Sequence, residues 1–129
     1  EREGVTVASD VPSVTPYYEA AHIVIAPLQA GSGTRIKLIE AAANGRAIVT
    51  TSLGCEGLGF IDGVHAEIAD DPTEFAVRIV ALARDPDRRA RLAKAARDHS
   101  VQAFSAETVI ANLQRNLRAL IASAEKQGP

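Results

Sequence analysis

With 129 residues, 47 % of them hydrophobic and 23 % charged, the chain has material for one packed domain of ordinary globular make-up. A formal net charge of −2 excludes broad attraction to nucleic acid or to an anionic membrane. Cys55 is the single cysteine, which excludes an intrachain disulfide and a thiolate metal cluster and fits a reducing compartment.

No apolar run approaches the roughly 20 residues that span a bilayer, and no secretory signal opens the chain. The sequence has no methionine and starts at Glu1, so a piece of a larger protein is expected. Val5 to Ala8 is a β-branched run that reads as a strand, followed by the turn signal "SDVPS". A short helix is expected over Ser13 to Ala21, capped by Ser13 or Thr15, with Pro16 in its first turn. His22 to Pro27, "HIVIAP", is continuously apolar at its centre, as a strand covered on both faces would be.

The loop "LQAGSG" leads into a helix over Thr34 to Asn44, ended by Gly45 as a left-handed cap. "AIVTT" is a second buried strand, "SLGCEGLGFIDGVH" a glycine-rich connection, and Ala66 to Ala69 a last short strand. Asp71-Pro72 with Glu74 has capping-box spacing and starts a helix to Arg84; Asp85-Pro86 starts another to His99. Ser105 caps a final helix in which Val109, Ile110, Leu113, Leu117, Leu120 and Ile121 recur at helical spacing. Residues 1–104 thus read as a partial domain and 105–129 as its C-terminal helix and tail. Strands alternating with helices predict an α/β fold, a Rossmann-like parallel sheet with helices on both faces.

Ligands of such sheets sit beyond the carboxyl ends of the strands, where "PLQAGSG" lies. The first amides of a helix lack partners and carry partial positive charge. Gly31 and Gly33 leave room for a phosphate on that helix start, with Ser32 and Thr34 hydroxyls as further donors. Arg35 and Lys37 add positive charge in a turn where the dipole disfavours it, as an anion would explain. Glu40 follows at about 9 Å along the axis from Thr34, a spacing that suits the hydroxyls of a nucleoside ribose. The P-loop and the dinucleotide fingerprint both fail, the latter because Ile36 stands where its third glycine belongs. A turn before a helix with a solvated glutamate is the plain alternative.

"PLQAGSGTRIKLIEAAANGRAIVTTSLGCEGL", preceded by "YYEAAHIVIAPL" and followed by "ADDPTEFAVRIVALARDPDRRARLAKAAR", resembles the retaining GT-B glycosyltransferases of family four, the glycosyl transferases group one. The similarity runs from Gly4 to Ser123 and implies the nucleotide-sugar-binding, C-terminal half of a GT-B fold. The family hallmark is a glutamate, seven intervening residues and a second glutamate. Glu40 takes the second position, which holds ribose hydroxyls, and Ser32 stands at the first, where a carboxylate usually meets the donor sugar. Gly33 and Thr34 match the family positions whose amides face the diphosphate, and Gly31 and Ser32 complete the diphosphate-binding candidates from the helix-start argument; Arg35, Lys37 and Glu56 are secondary candidates, and no catalytic residue is assigned.

The resemblance implies transfer of a sugar from a nucleotide-diphosphate sugar with retention, without cofactor or metal, to a glycan, lipid or small-molecule acceptor held by an N-terminal domain outside this sequence. The family's first strands, with their Arg/Lys pair for the diphosphate, are also outside it, so the fragment alone is expected to be inactive. A nucleotide-sugar epimerase of the same fold and a non-catalytic nucleotide-binding module remain alternatives. In the strand order 3-2-1-4-5-6 the run Val5 to Ala8 would lack its neighbours, so an exposed sheet edge and self-association are expected. Location is expected to be cytoplasmic, with the parent peripheral at the membrane's cytoplasmic face.

The cluster Arg84, Arg88, Arg89, Arg91, Lys94 and Arg97 has no interleaved aromatics and is diluted by Asp85, Asp87 and Asp98, so it reads as a solvated face and not a nucleic-acid site. His22, His65 and His99 share no ligand spacing, so no metal is expected. Cys55 lacks a base partner in the sequence and reads as a small packed residue.

Overall fold

The computed structural model describes residues 3–31 and 33–125, leaving Ser32 outside. Its elements are α1 (Thr15–Ala20), β1 (Ile23–Ala26), α2 (Ile36–Ala43), β2 (Ala47–Thr50), β3 (Glu67–Ile68), α3 (Pro72–Arg84), α4 (Pro86–Phe104) and α5 (Ala106–Glu125). The three strands form one parallel sheet in the order β1-β2-β3. Ile23 to Ala26 pair with Ala47 to Thr50, and Val49 and Thr50 pair with Glu67 and Ile68.

β2 is buried throughout, and its alternation feeds two cores. Ile48 packs with Leu38, Ala41, Ala42 and Ala96 on one face of the sheet. Ala47 and Val49 pack with Ala69, Phe75, Leu82 and Leu92 on the other. Helix α2 thus covers one face, α3 covers the other, and α4 reaches both through Ala96 and Leu92. The expected α/β architecture with helices on both faces is the one observed.

Side-chain and backbone caps set the helix limits. Asp71 accepts the amides of Thr73 and Glu74, both at 2.9 Å, ahead of Pro72. Asp85 closes α3 and opens α4, accepting the amide of Arg88 at 2.8 Å. Gly45, at φ 66°, ends α2: its amide meets Ala42 O at 2.8 Å and that of Arg46 meets Ala41 O at 3.0 Å. This is a Schellman termination. Ser105 Oγ accepts the Thr108 amide at 3.2 Å and starts α5.

Several expectations need correction. Val5 to Ala8 forms no strand: it has no ladder partner among the described residues, and Val7 is 84 % exposed. A strand is held by pairing with a neighbour, and this run pairs with none of the three strands. β1 is not covered on both faces either, because it is the outer strand of the sheet and Ile25 is 52 % exposed. Helix α4 continues past His99 to Phe104, since Ala96 and Ser100 stay buried one turn apart and hold the helix against the body. α2 begins at Ile36, two residues late, for a reason that belongs to the site.

Candidate functional site

The carboxyl ends of the strands are laced by threonines. Thr50 Oγ1 donates to Ala26 O at 3.0 Å, and Thr51 Oγ1 donates to Leu28 O at 2.6 Å while accepting the Gly54 amide at 3.0 Å. Ser52 donates its amide (2.8 Å) and hydroxyl (2.7 Å) to Asp70, and these two bonds hold the Asp70 carboxyl below the usual carboxylate range. A hollow of about 120 Å³ lies beyond these ends, lined by Pro27, Gln29, Thr51, Asp70, Pro72 and Phe75.

The glycine bend leaves β1 on the same side of the sheet. Gly31 and Gly33 have φ of 123° and 91°, values that side chains with a Cβ rarely adopt. A Cβ at Gly33 would meet nothing within 4 Å, so the open space there is not filled by protein. Arg35, at φ −84° and ψ 62°, centres an inverse γ-turn closed by Ile36 N to Thr34 O at 3.0 Å. That turn delays the helix to Ile36. The amides of Gly33, Thr34 and Lys37 meet no carbonyl among the described residues, and all three residues are exposed. Lys37 is a donor of the helix's first turn, and Gly33 and Thr34 add two more in the bend ahead of the N-cap Arg35.

Arg35, a secondary anion candidate, is 9 % exposed and turns inward. Its guanidinium donates to Gly31 O at 2.9 Å and, more weakly, to Leu53 O at 3.5 Å, so it clasps the glycine bend to the loop after β2. Lys37 is exposed beside the bend and Glu56 is exposed in a turn. Glu40 is half-buried four residues into α2, about 6 Å along the axis from Ile36. It lines no part of the 120 Å³ hollow and faces α1, where the Tyr18 hydroxyl donates to its Oε2 at 3.2 Å. Burial and the Glu40 charge together raise the Tyr18 pKa.

Cys55 is half-buried, with Sγ 3.4 Å from Thr51 O, and burial raises its thiol pKa, which disfavours the nucleophilic thiolate. His65 and His99, far apart in sequence, meet with ring centroids 4.7 Å apart beside Phe60. No group of three or more metal-type side chains converges among the described residues. Sequence reasoning passed over Tyr18, Asp70 and the histidine pair, because each contact joins residues 18 or more positions apart and leaves no local spacing to read.

Residues 1–85 match the family model described as glycosyl transferases group 1. The chain belongs to that family. It is 34 % identical over 68 residues to an uncharacterized 44.6 kDa protein in the cps region of Klebsiella pneumoniae, a match covering 53 % of this chain and 18 % of that protein. The fold is similar to that of sucrose-phosphate synthase from Thermosynechococcus elongatus, with a TM-score of 0.72 and 22 % identity, over 85 % of this chain and 28 % of that one. The chain therefore spans under a third of either relative's length. Among the described residues no helix is long and apolar enough to cross a membrane.

Proposed function

We propose that this chain is the donor-binding part of a retaining glycosyltransferase, taking a nucleotide-diphosphate sugar. The observation that carries the proposal is the amides of the exposed residues Gly33, Thr34 and Lys37, which meet no carbonyl among the described residues, around the start of α2, with Glu40 about one turn further on. Diphosphate oxygens accept from those amides and from Ser32 and Thr34 hydroxyls, while Glu40 accepts from ribose hydroxyls. In transfer, negative charge grows on the departing nucleotide diphosphate, and fixed amide dipoles with the Lys37 ammonium stabilise it. No metal or organic cofactor enters this proposal.

In the strand order 3-2-1-4-5-6 the ligand crevice opens where strands one and four adjoin. β1 takes the place of strand four, so the crevice faces its uncovered edge, and the acceptor and the remaining diphosphate contacts come from elsewhere in a longer protein. Titration of the complete protein with nucleoside diphosphates, followed by assays for sugar transfer, epimerisation and simple hydrolysis, tests this. Glu40→Ala should abolish ribose-dependent binding and spare inorganic pyrophosphate. Epimerisation without transfer, or binding without turnover, would replace the proposal. The reducing compartment that suits Cys55 makes the cytoplasm the proposed location.

A further inference from the structure

Among the described residues, Tyr18 makes the one side-chain hydrogen bond to the Glu40 carboxylate. Its hydroxyl stands 3.2 Å from Glu40 Oε2 and 3.1 Å from Lys37 O. A phenol has a single hydrogen to donate. The Lys37 carbonyl lies inside α2, where the helix brings its own donor, so the carboxylate is the acceptor that gains from the hydroxyl.

The phenol is itself fixed in place. Its ring packs against the core cluster that contains Leu38 and Ala41. Arg46, just ahead of β2, holds the end of α1 by donating to Glu19 O at 3.3 Å and Ala21 O at 3.1 Å. A rigid donor on Oε2 removes rotamer freedom from a flexible side chain before any ligand arrives, which is how a supporting residue sharpens a binding site. It leaves Oε1 and one lone pair of Oε2 to accept from two further hydroxyls.

We infer that Tyr18 is a positioning residue, holding the Glu40 carboxylate in the orientation that receives the ribose diol of a nucleoside diphosphate. This rests on the ribose-binding reading of Glu40. The discriminating quantity is the affinity ratio between ribo and 2′-deoxy forms, because a general loss of structure weakens both alike.

The test titrates the complete protein by calorimetry with UDP, GDP, ADP and CDP and their 2′-deoxy counterparts. For the nucleotide that binds, Glu40→Gln should bring the ratio close to one. Tyr18→Phe, which keeps the ring and its packing, should lower the ratio about three- to tenfold, the range of a typical net hydrogen bond, with the 2′-deoxy form, which keeps only its 3′-hydroxyl, losing less affinity than the ribo form. The double variant should fall no further than Glu40→Gln. If Tyr18→Phe leaves the ratio intact, or weakens both forms equally, Tyr18 only staples α1 to α2 and the inference is overturned while Glu40 keeps its role. If Glu40→Gln leaves the ratio intact, or no ribonucleotide binds, the ribose reading fails and the inference with it.

Discussion

A Cβ atom on Gly54 would lie 2.1 Å from Oγ1 of Thr50, far inside contact distance. Thr50 is fully buried and its hydroxyl is committed to Ala26 O at 3.0 Å, so it has nowhere to retreat. Gly54→Ala should therefore cost about 1–3 kcal/mol through overpacking. Thermal melts would register this as a lowered Tm, and an unchanged Tm would mean that the turn after β2 yields freely.

Acid should loosen the contact between the 58–65 loop and α4. His65 Nδ1 accepts the Ile61 amide at 3.0 Å, while His99 Nε2 lies 2.7 Å from Leu58 O. Burial first, and then the neighbouring His99, lower the His65 pKa from its ordinary 6.5. The folded state thus binds fewer protons at this site than the unfolded chain. Its contribution is complete above about pH 6.5 and declines as pH falls from there through the depressed folded value. Denaturant titrations at pH 7.5 and 5.5 should show a smaller acid loss in His65→Phe than in the parent. Equal losses would remove His65 as a cause.

Glu67 is 2 % exposed and carries a carboxylate between two arginines. Oε2 lies 3.3 Å from Arg78 Nη1; Oε1 lies 2.6 Å from Arg88 Nη2, an ion pair without hydrogen-bond alignment. Arg78 also reaches Asp62 and Glu74, each at 2.6 Å. Removing one partner of a fully buried pair costs roughly 3–5 kcal/mol, and partner exposure reduces that. Glu67→Ala should lower stability by about 2–3 kcal/mol in urea unfolding, with Arg88→Ala costing less, since its side chain is 42 % exposed.

Arg35→Ala should free the glycine bend from the loop after β2. Hydrogen exchange at residues 29–35 and 52–55 should quicken together, because one guanidinium serves Gly31 O and Leu53 O. Faster exchange in only one of the two segments would show that the clasp is not shared. Arg35→Lys should rescue little, since a single ammonium cannot span both carbonyls as the planar fork does.

The outer edge of β1, with Ile25 half-exposed, should make the isolated chain associate as concentration rises. Sedimentation across a concentration series measures this, and Ile25→Lys should shift the series towards monomer. An unvarying monomer for the parent would show that the edge is silent.

The elements legible in the sequence are those specified locally. Asp71-Pro72 and Asp85-Pro86 each carry a cap and a first-turn proline within adjacent positions, and Gly45 supplies the left-handed stop. The cores of both faces follow from β2, whose run AIVT is buried at every position. Val5 to Ala8 pairs with no strand, and β1, a strand as expected, lies at the sheet's edge: burial depends on what lies beside a strand, and an apolar run looks alike at a sheet's centre and at its edge. At the site, the glycine bend and Glu40 could be picked out by spacing along one helix. The inward turn of Arg35 could not, since its acceptor Leu53 O lies 18 residues away. Nor could Tyr18 be found, 22 residues from Glu40.

Asp85 serves as the last cap of α3 and the first of α4. With a single residue at the corner, neither helix can lengthen or rotate without dragging the other across the sheet. Added length is therefore better accommodated in loops than at this corner. In protein engineering, a tag or a grafted peptide placed between Arg84 and Pro86 would unseat Leu82 and Leu92 at once, whereas one placed between the exposed residues Glu56 and Gly57 would leave that joint unstrained.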